Sequence, residues 1–304
     1  MKKSSLLGID KRKFLQLCDS LLIGTKFPQF QLDTAFRLGH LMGIERFESI
    51  IGIPKQLRSV LDEHFAIDIG SISKQTNSLD GTIKWAIKCG QEEGSIAETV
   101  LIPEYGGRNT LCLSSQIGCS LACKFCCTGT QRLMRNLTTS EIAAQFIQAG
   151  LHLKDIPMSK AKGFRSLTNI VFMGQGEPLY NWSNVSQAIQ TFTNPELYAL
   201  SPSRITVSTS GIAPLIPKIS ELGVQLAVSL HAPTDSLRSD IMDINRTYPL
   251  AALIEACKEF LKATHGRNRI TFEYVMLRNF NDSERCAQDL ARLLNGMNAF
   301  VNLM

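Results

Sequence analysis

Gly118 to Gln131 reads G-C-S-L-A-C-K-F-C-C-T-G-T-Q, and the fold and chemistry of the chain turn on it. Cys119, Cys123 and Cys126 stand in a C-x3-C-x2-C spacing. Three thiols at this spacing do not share one packing face of a helix or strand, but they can converge on one metal centre from a loop. An iron–sulfur cube normally takes four cysteines. A set of three leaves one iron without a protein ligand, and an open coordination position separates a catalytic metal site from a structural one. A zinc site or a chance cluster fits the same three residues, and the rest of the chain has to decide.

The chain has 304 residues, enough for one barrel-sized domain and a smaller one. Hydrophobic residues make up 44% and charged residues 19%, which is globular material rather than disorder. A net charge of +5, from 32 basic and 27 acidic residues, permits phosphate contacts without arguing for them. Only Leu6-Leu7 separates the basic start from Asp10, too short for a signal core, and nowhere do eighteen apolar residues run together. Nine cysteines, three of them clustered, argue against a disulfide framework and for a reducing cytoplasm.

Apolar spacing predicts helices over residues 11–22, 34–43 and 54–65, broken at Gly24, Pro28 and Gly52-Ile-Pro. The face bearing Lys55 and Arg58 suits solvent or RNA phosphate, and His40 and His64 read as structural. Alternation then predicts strands over 67–71, 82–88 and 96–102, with turns at Asp80-Gly81 and Glu93-Gly94. Glu98 falls in the last of these, where a lone glutamate ordinarily faces solvent. From Asn109 onward, apolar runs at 110–115, 169–173, 205–208, 224–230, 270–276 and 300–303 alternate with amphipathic stretches at 139–154, 183–193, 213–222, 250–264 and 283–294. Six strands and five crossovers predict a parallel α/β sheet with helices outside. Thr139 would cap the first crossover helix, and Asp282 and Ser283 the last.

In a β/α barrel the chemistry gathers at the carboxyl ends of the strands, and the cysteine loop follows the first strand directly. Gly174-Gln-Gly-Glu-Pro178 follows the second. Its glycines allow close backbone approach, and Glu177 can accept from an ammonium group. A tight turn with a surface glutamate would look the same. Ser208-Thr-Ser-Gly211 follows the third strand and Ser229-Leu-His-Ala-Pro233 the fourth, a placement that suits a nucleoside cofactor; local backbone satisfaction would explain either serine equally. His231 is the best placed of the histidines. Asn245 and Asn281-Asp282 read as turn residues. Cys18, Cys89, Cys127, Cys257 and Cys286 read as buried apolar residues, and Cys112 stays open on sequence grounds.

With these residues in view, the chain resembles the RlmN/Cfr family of radical S-adenosylmethionine (SAM) RNA methyltransferases. The likeness runs in order through E-T-V-L-I-P at 98–103, T-L-C-L-S-S-Q-I-G-C at 110–119 and C-K-F-C-C-T-G at 123–129. It continues through R-N-L-T at 135–138, F-M-G-Q-G-E-P-L-Y-N at 172–181, S-T-S-G at 208–211, S-L-H-A-P at 229–233, Y-V-M-L at 274–277 and V-N-L at 301–303. It covers about residue 80 to the end, and before that only I-P-K-Q-L-R at 53–58.

The resemblance implies a radical SAM partial (β/α)6 barrel over 109–304, a small N-terminal helical RNA-recognition domain over 1–75, and a linking β-hairpin sheet over 76–108. It implies methylation of adenosine carbon 2 in 23S ribosomal RNA and tRNA, using two SAM molecules. By this likeness Cys119, Cys123 and Cys126 hold a 4Fe–4S cluster. Gly176, Glu177, Ser208, Ser229, Leu230 and His231 contact SAM. Glu98 accepts a proton, and Cys112 frees product through a transient disulfide. The implied partners are ribosomal RNA, tRNA and an electron donor such as flavodoxin.

Carbon 2 of adenine is electrophilic, so polar methyl transfer from SAM fails there and radical chemistry is required. The family carries the methyl group on a cysteine beyond the sixth strand. The sequence ends at Met304 inside that strand, and neither Cys127, Cys257 nor Cys286 stands where it could carry the methyl group. The expectation is a chain that binds a cluster and cleaves SAM weakly without methylating RNA by the family route. A cluster- and RNA-binding protein without turnover, and a Cfr-type enzyme acting on carbon 8, are the alternatives.

Overall fold

Apolar alternation in the 83–101 stretch, Trp85-x-Ile87 against Ala97-x-Thr99-x-Leu101, buries one face of an antiparallel sheet. The computed structural model describes residues 3–21, 27–90, 94–156 and 166–304. Leu22, Gly24 and Glu93, named in the sequence expectations, lie outside the described residues. The chain divides into two units. One comprises Met1–Leu113, Leu137–Asn169 and Ser183–Leu200, and the other Ser114–Asn136, Ile170–Trp182 and Ser201–Met304.

The first unit opens with helices α1 (Lys11–Leu21), α2 (Gln29–Leu41) and α3 (Lys55–His64). Helix α2 starts at Gln29, five residues before the predicted Thr34, with Pro28 at the N-cap. Phe14 packs on Phe36 and Phe65 with ring centroids 5.4 and 5.1 Å apart. Four strands follow: β1 (Ser71–Asn77), β2 (Ile83–Lys88), β3 (Ile96–Glu104) and β4 (Arg108–Cys112), paired antiparallel in that order. The predicted strand at 67–71 is displaced. Phe65–Ala66 pairs with Ser4–Ser5, and the true edge strand is β1. Strand β1 reads S-I-S-K-Q-T-N and every residue is exposed, so no alternation betrays it. The Asp80-Gly81 turn forms as expected, with Ser78 N–H donating to Thr82 O at 2.8 Å. Helix α4 (Thr139–His152) is capped by Thr138 rather than the predicted Thr139. Thr138 and Glu141 form a reciprocal capping box.

The second unit carries a parallel ladder. Strand β5 (Leu167–Phe172) enters it at Ile170 and pairs with β6 (Ile205–Thr209). That strand pairs with β7 (Gln225–Ser229), then β8 (Ile270–Tyr274), then β9 (Ala299–Leu303). Helix α5 (Trp182–Thr193) belongs, beyond Trp182, to the first unit, whereas α6 (Asp235–Ile241), α7 (Leu250–Ala263) and α8 (Glu284–Leu293) belong to this one. The single helix expected over 213–222 is instead two 3-10 turns flanking Ile216–Ile219. Pro214 and Pro217 each lack the N–H that a continuous helix would need. Parallel pairing puts the loops after β5, β6, β7 and β8 at one edge of the ladder, and the site is built there.

Candidate functional site

Twenty residues of the second unit line a cavity of about 290 Å³ at that edge. Cys119, Cys123 and Cys126 stand on its wall with Gly176, Glu177, Ser208, Ser229 and His231. All three cysteines are free thiols of intermediate exposure. Their loop is built by short backbone bonds: Cys126 N–H donates to Cys123 O at 3.1 Å and Gly129 N–H to Cys126 O at 2.9 Å. Leu121 N–H donates to Cys119 Sγ at 3.5 Å. Gly118, at φ +74°, lies where any Cβ would strike the backbone carbonyl of Arg132, so only glycine can lead into this loop.

The donor set fits a thiolate-ligated metal centre. Burial pushes the Cys123 thiol up to about 12, and the neighbouring Cys119 and Cys126 sulfurs push it further in the same direction. Burial also raises Cys119, opposed by the Leu121 N–H. Thiols held this way ionise only against a cation, which is what a metal centre supplies. Among the described residues, no three His, Cys, Asp or Glu side chains converge on the position of a single metal ion. A cube takes each thiolate through a different iron.

On the same cavity wall, Gly176 at φ +95° lets the chain pass close to Gln116. Gln116 Oε1 accepts from Glu177 N–H at 2.8 Å, and its Nε2 donates to Asn136 Oδ1 at 2.7 Å. The Glu177 carboxylate is 1% exposed. It accepts from Leu179 N–H at 3.1 Å and Ser210 N–H at 2.7 Å. Burial raises its pKa, while these two backbone donors pull the other way. Glu177 is therefore a buried carboxylate on the cavity wall, not the surface glutamate of a plain turn.

His231 has φ +57°, a left-handed conformation rare outside glycine. Its N–H donates to Glu273 O at 3.2 Å. Its Nδ1 accepts from Val275 N–H at 3.0 Å, and its ring sits edge-on to Phe125, centroids 4.4 Å apart. Burial lowers the ring's pKa to about 4, with Arg238 adding to the effect. Asn281 was expected in a turn, yet it is 2% exposed. Its Nδ2 donates to the carbonyls of His231 and Val275 at 2.7 Å each, and its Oδ1 accepts from Leu277 N–H at 2.6 Å. Asn245, also expected in a turn, is buried and accepts from Arg238.

Leu230, expected beside the cofactor, does not line the cavity; its side chain is fully buried in the core. Glu98 and Cys112 belong to the first unit, on β3 and β4. Val100 and Cys112 are directly opposed across the ladder, so Glu98, two residues from Val100, shares their face. Glu98 is half-exposed and ion-paired with Lys84 at 3.0 Å. Sequence reasoning missed Gln116, Glu273 and Arg238. Glu273 lines the cavity and accepts from Asn302 Nδ2 at 2.7 Å. Only the Q in T-L-C-L-S-S-Q-I-G-C carried a signal for Gln116.

The profile of the Radical SAM superfamily matches residues 113–290. A protein from Beijerinckia indica, named a dual-specificity RNA methyltransferase RlmN, is 42% identical over 99% of this chain and 80% of its own length. One of the same name from Rhodopseudomonas palustris is 44% identical over 99% of this chain and 77% of its own length. A crystal structure of a radical SAM methyltransferase from Sphaerobacter thermophilus superposes with a TM-score of 0.87 at 36% identity, covering 99% of this chain and 84% of that one. A sheet-and-helix fold of this kind, a cysteine triplet and a buried glutamate on one cavity, and likeness over nearly the whole sequence lead to one assignment: the chain belongs to the radical SAM superfamily and, within it, to the RlmN family of RNA methyltransferases.

Proposed function

We propose, in place of the expectation of a chain without RNA turnover, that this chain acts in the methylation of adenosine carbon 2 in 23S ribosomal RNA and tRNA, and that the cavity of the second unit is its SAM-cleaving centre. The observation that carries the reading is the shared wall. Cys119, Cys123, Cys126, Glu177, Ser208, Ser229 and His231 all line one cavity. Cys119, Cys123 and Cys126 would hold a 4Fe–4S cluster. When bound, the cluster supplies the electron that cleaves SAM to a deoxyadenosyl radical.

The chain's own residues bind and orient the cofactor. Glu177, held by two backbone N–H groups and by the Thr209 and Ser210 side chains, would take the SAM ammonium group as its charge partner. Gly176 lets the backbone approach it closely. His231 accepts at Nδ1, so its proton stands on Nε2 as a neutral donor toward the cavity. The Ser208 and Ser229 hydroxyls offer further bonds. Glu98 would accept the proton lost from carbon 2, and Cys112 would resolve the product adduct. Their common face suits a single substrate base presented to both.

Anaerobic reconstitution with iron and sulfide, read by visible and paramagnetic resonance spectra, tests the cluster. Formation of 5′-deoxyadenosine from SAM then tests cleavage. Both signals are expected, and both should vanish in Cys123→Ala. Mass spectrometry of RNA from cells lacking their own carbon 2 methyltransferase, with this chain expressed, reads the target atom. Finding 8-methyladenosine there would move the reading to carbon 8. A protein that takes up one zinc ion and no iron would overturn it.

A further inference from the structure

We infer that Arg238 is the buried counter-charge of the iron–sulfur cluster and sets the potential at which that cluster accepts an electron; the inference rests on the cluster reading above. Arg238 lies in α6 and is 0% exposed. Its Nε donates to Leu230 O at 3.1 Å and one terminal nitrogen donates to Asn245 Oδ1 at 3.0 Å. The other donates to Ser210 O at 2.6 Å and Ser229 O at 3.0 Å. All four acceptors are uncharged oxygens. A buried cation costs several kcal/mol unless something anionic compensates it, and neutral amides could bind the same carbonyls.

No carboxylate forms an ion pair with Arg238 among the described residues. Asp235 acts on it only at a distance, is itself exposed, and has Oδ1 engaged by Asn245 Nδ2 at 2.9 Å and Leu250 N–H at 2.8 Å. The buried Cys257 thiol is pushed up to about 12 and holds its proton. Burial brings the guanidinium down only to about 10, so it stays charged at neutral pH.

The missing anion belongs on the other side of the cavity wall. Ser210 and Ser229, whose carbonyls the guanidinium holds, both line the cavity with the three cysteines. The cysteine loop is tied to the far end of the same helix, where Lys124 N–H donates to Ile241 O at 3.0 Å. A cluster held by three thiolates is net negative, and taking one electron from an external low-potential donor adds one more negative charge. A fixed cation in a low-dielectric wall stabilises that reduced form more than the oxidised one, which raises the potential.

The test is a dithionite titration of the reconstituted protein without SAM, monitored by paramagnetic resonance, for the wild type, Arg238→Gln and Arg238→Lys. Arg238→Gln is expected to hold a cluster with a midpoint more negative than wild type, and Arg238→Lys, which keeps the charge but loses bonds, to stay near wild type. An unchanged midpoint in Arg238→Gln overturns the inference. So does a lysine variant as low as the glutamine one, which would make Arg238 a staple for carbonyls, or a shift seen only with SAM added, which would make it the partner of the SAM carboxylate. Should Arg238→Gln fail to fold, Asp235→Asn carries the test, because it keeps the acceptor and removes the opposing charge. Its midpoint should rise, and one equal to or below wild type overturns the inference. A wild-type protein that takes up no cluster removes the functional reading itself, whereas a normal cluster with unshifted variants removes only the role of Arg238.

Discussion

Val275 donates its backbone N–H to Nδ1 of His231 at 3.0 Å, and this one bond fixes which ring nitrogen carries the proton. Nδ1 can accept only if it is bare, so the neutral ring keeps its hydrogen on Nε2, the nitrogen left for a ligand. The bond exists because residue 231 has φ +57° and the chain beyond β8 runs close beneath it. Asn281 holds both sides of that arrangement through the carbonyls of His231 and Val275.

Asn281→Ala is therefore expected to do more than a loop substitution. It leaves two carbonyls and the Leu277 N–H without their partner, at about 1–3 kcal/mol for each buried group that water does not reach. A loss of about 3 kcal/mol in chemical denaturation is expected, together with weaker SAM binding. Nitrogen NMR of labelled histidine should show His231 leaving the pure Nε2–H form. A variant as stable as wild type, with that signal intact, would return Asn281 to the role of a turn residue.

His40 and His231 both have their pKa lowered from 6.5 to about 4, burial being the first cause in each. The unfolded chain therefore takes up these protons before the folded one does. Their contribution is complete above about pH 6.5 and is lost as pH falls toward 4. At roughly 1.4 kcal/mol per pH unit, each ring can account for at most about 3 kcal/mol across that window. Melting temperatures of wild type and His40→Leu at pH 7, 6, 5 and 4 check this. The wild type should fall more steeply on acidification; parallel curves would show that His40 contributes nothing to the slope.

At Gly176 an added Cβ would lie 2.5 Å from Gln116 Cβ, and φ is +95°. Gly176→Ala is expected to cost about 1–3 kcal/mol from the backbone alone. It should also displace Gln116, the acceptor for Glu177 N–H. SAM affinity should fall at least tenfold, measured by calorimetry on the reconstituted protein. Unchanged affinity would mean that Gln116 does not position Glu177.

Glu98 pairs with Lys84 at a half-exposed site. Such pairs are worth about 0–1 kcal/mol. Glu98→Gln should thus leave the melting temperature within about 2 °C of wild type. If Glu98 is the proton acceptor, the same variant should lose RNA methylation while still forming 5′-deoxyadenosine. A variant that loses both would place the defect in SAM cleavage instead.

Much of the site was legible because it lies in short local motifs. The C-x3-C-x2-C spacing and Gly174-Gln-Gly-Glu-Pro178 are contiguous, and each follows an apolar run that the structure confirms as strand or near-strand. The edge strand Ser71–Asn77 was not legible, since all of its side chains are exposed and its register comes from β2. The break of the 213–222 helix could have been read from Pro214 and Pro217. Asn245 and Asn281 looked like turn residues because asparagine favours turns, and nothing local shows that a turn is buried.

The sequence by itself determined the order of strands and crossovers, the cysteine triplet and the family likeness, because these depend on residue type and spacing along the chain. Tertiary structure decided which carbonyl meets which amide. It set the tautomer of His231 from Val275, buried Arg238 behind Ser210 and Ser229, placed Leu230 in the core, and put Glu98 and Cys112 on one sheet face. Hydrogen bonds act over about 3 Å, and these partners stand up to 44 residues apart in the chain. No local pattern brings them together; strand pairing does, parallel in the second unit and antiparallel between β3 and β4.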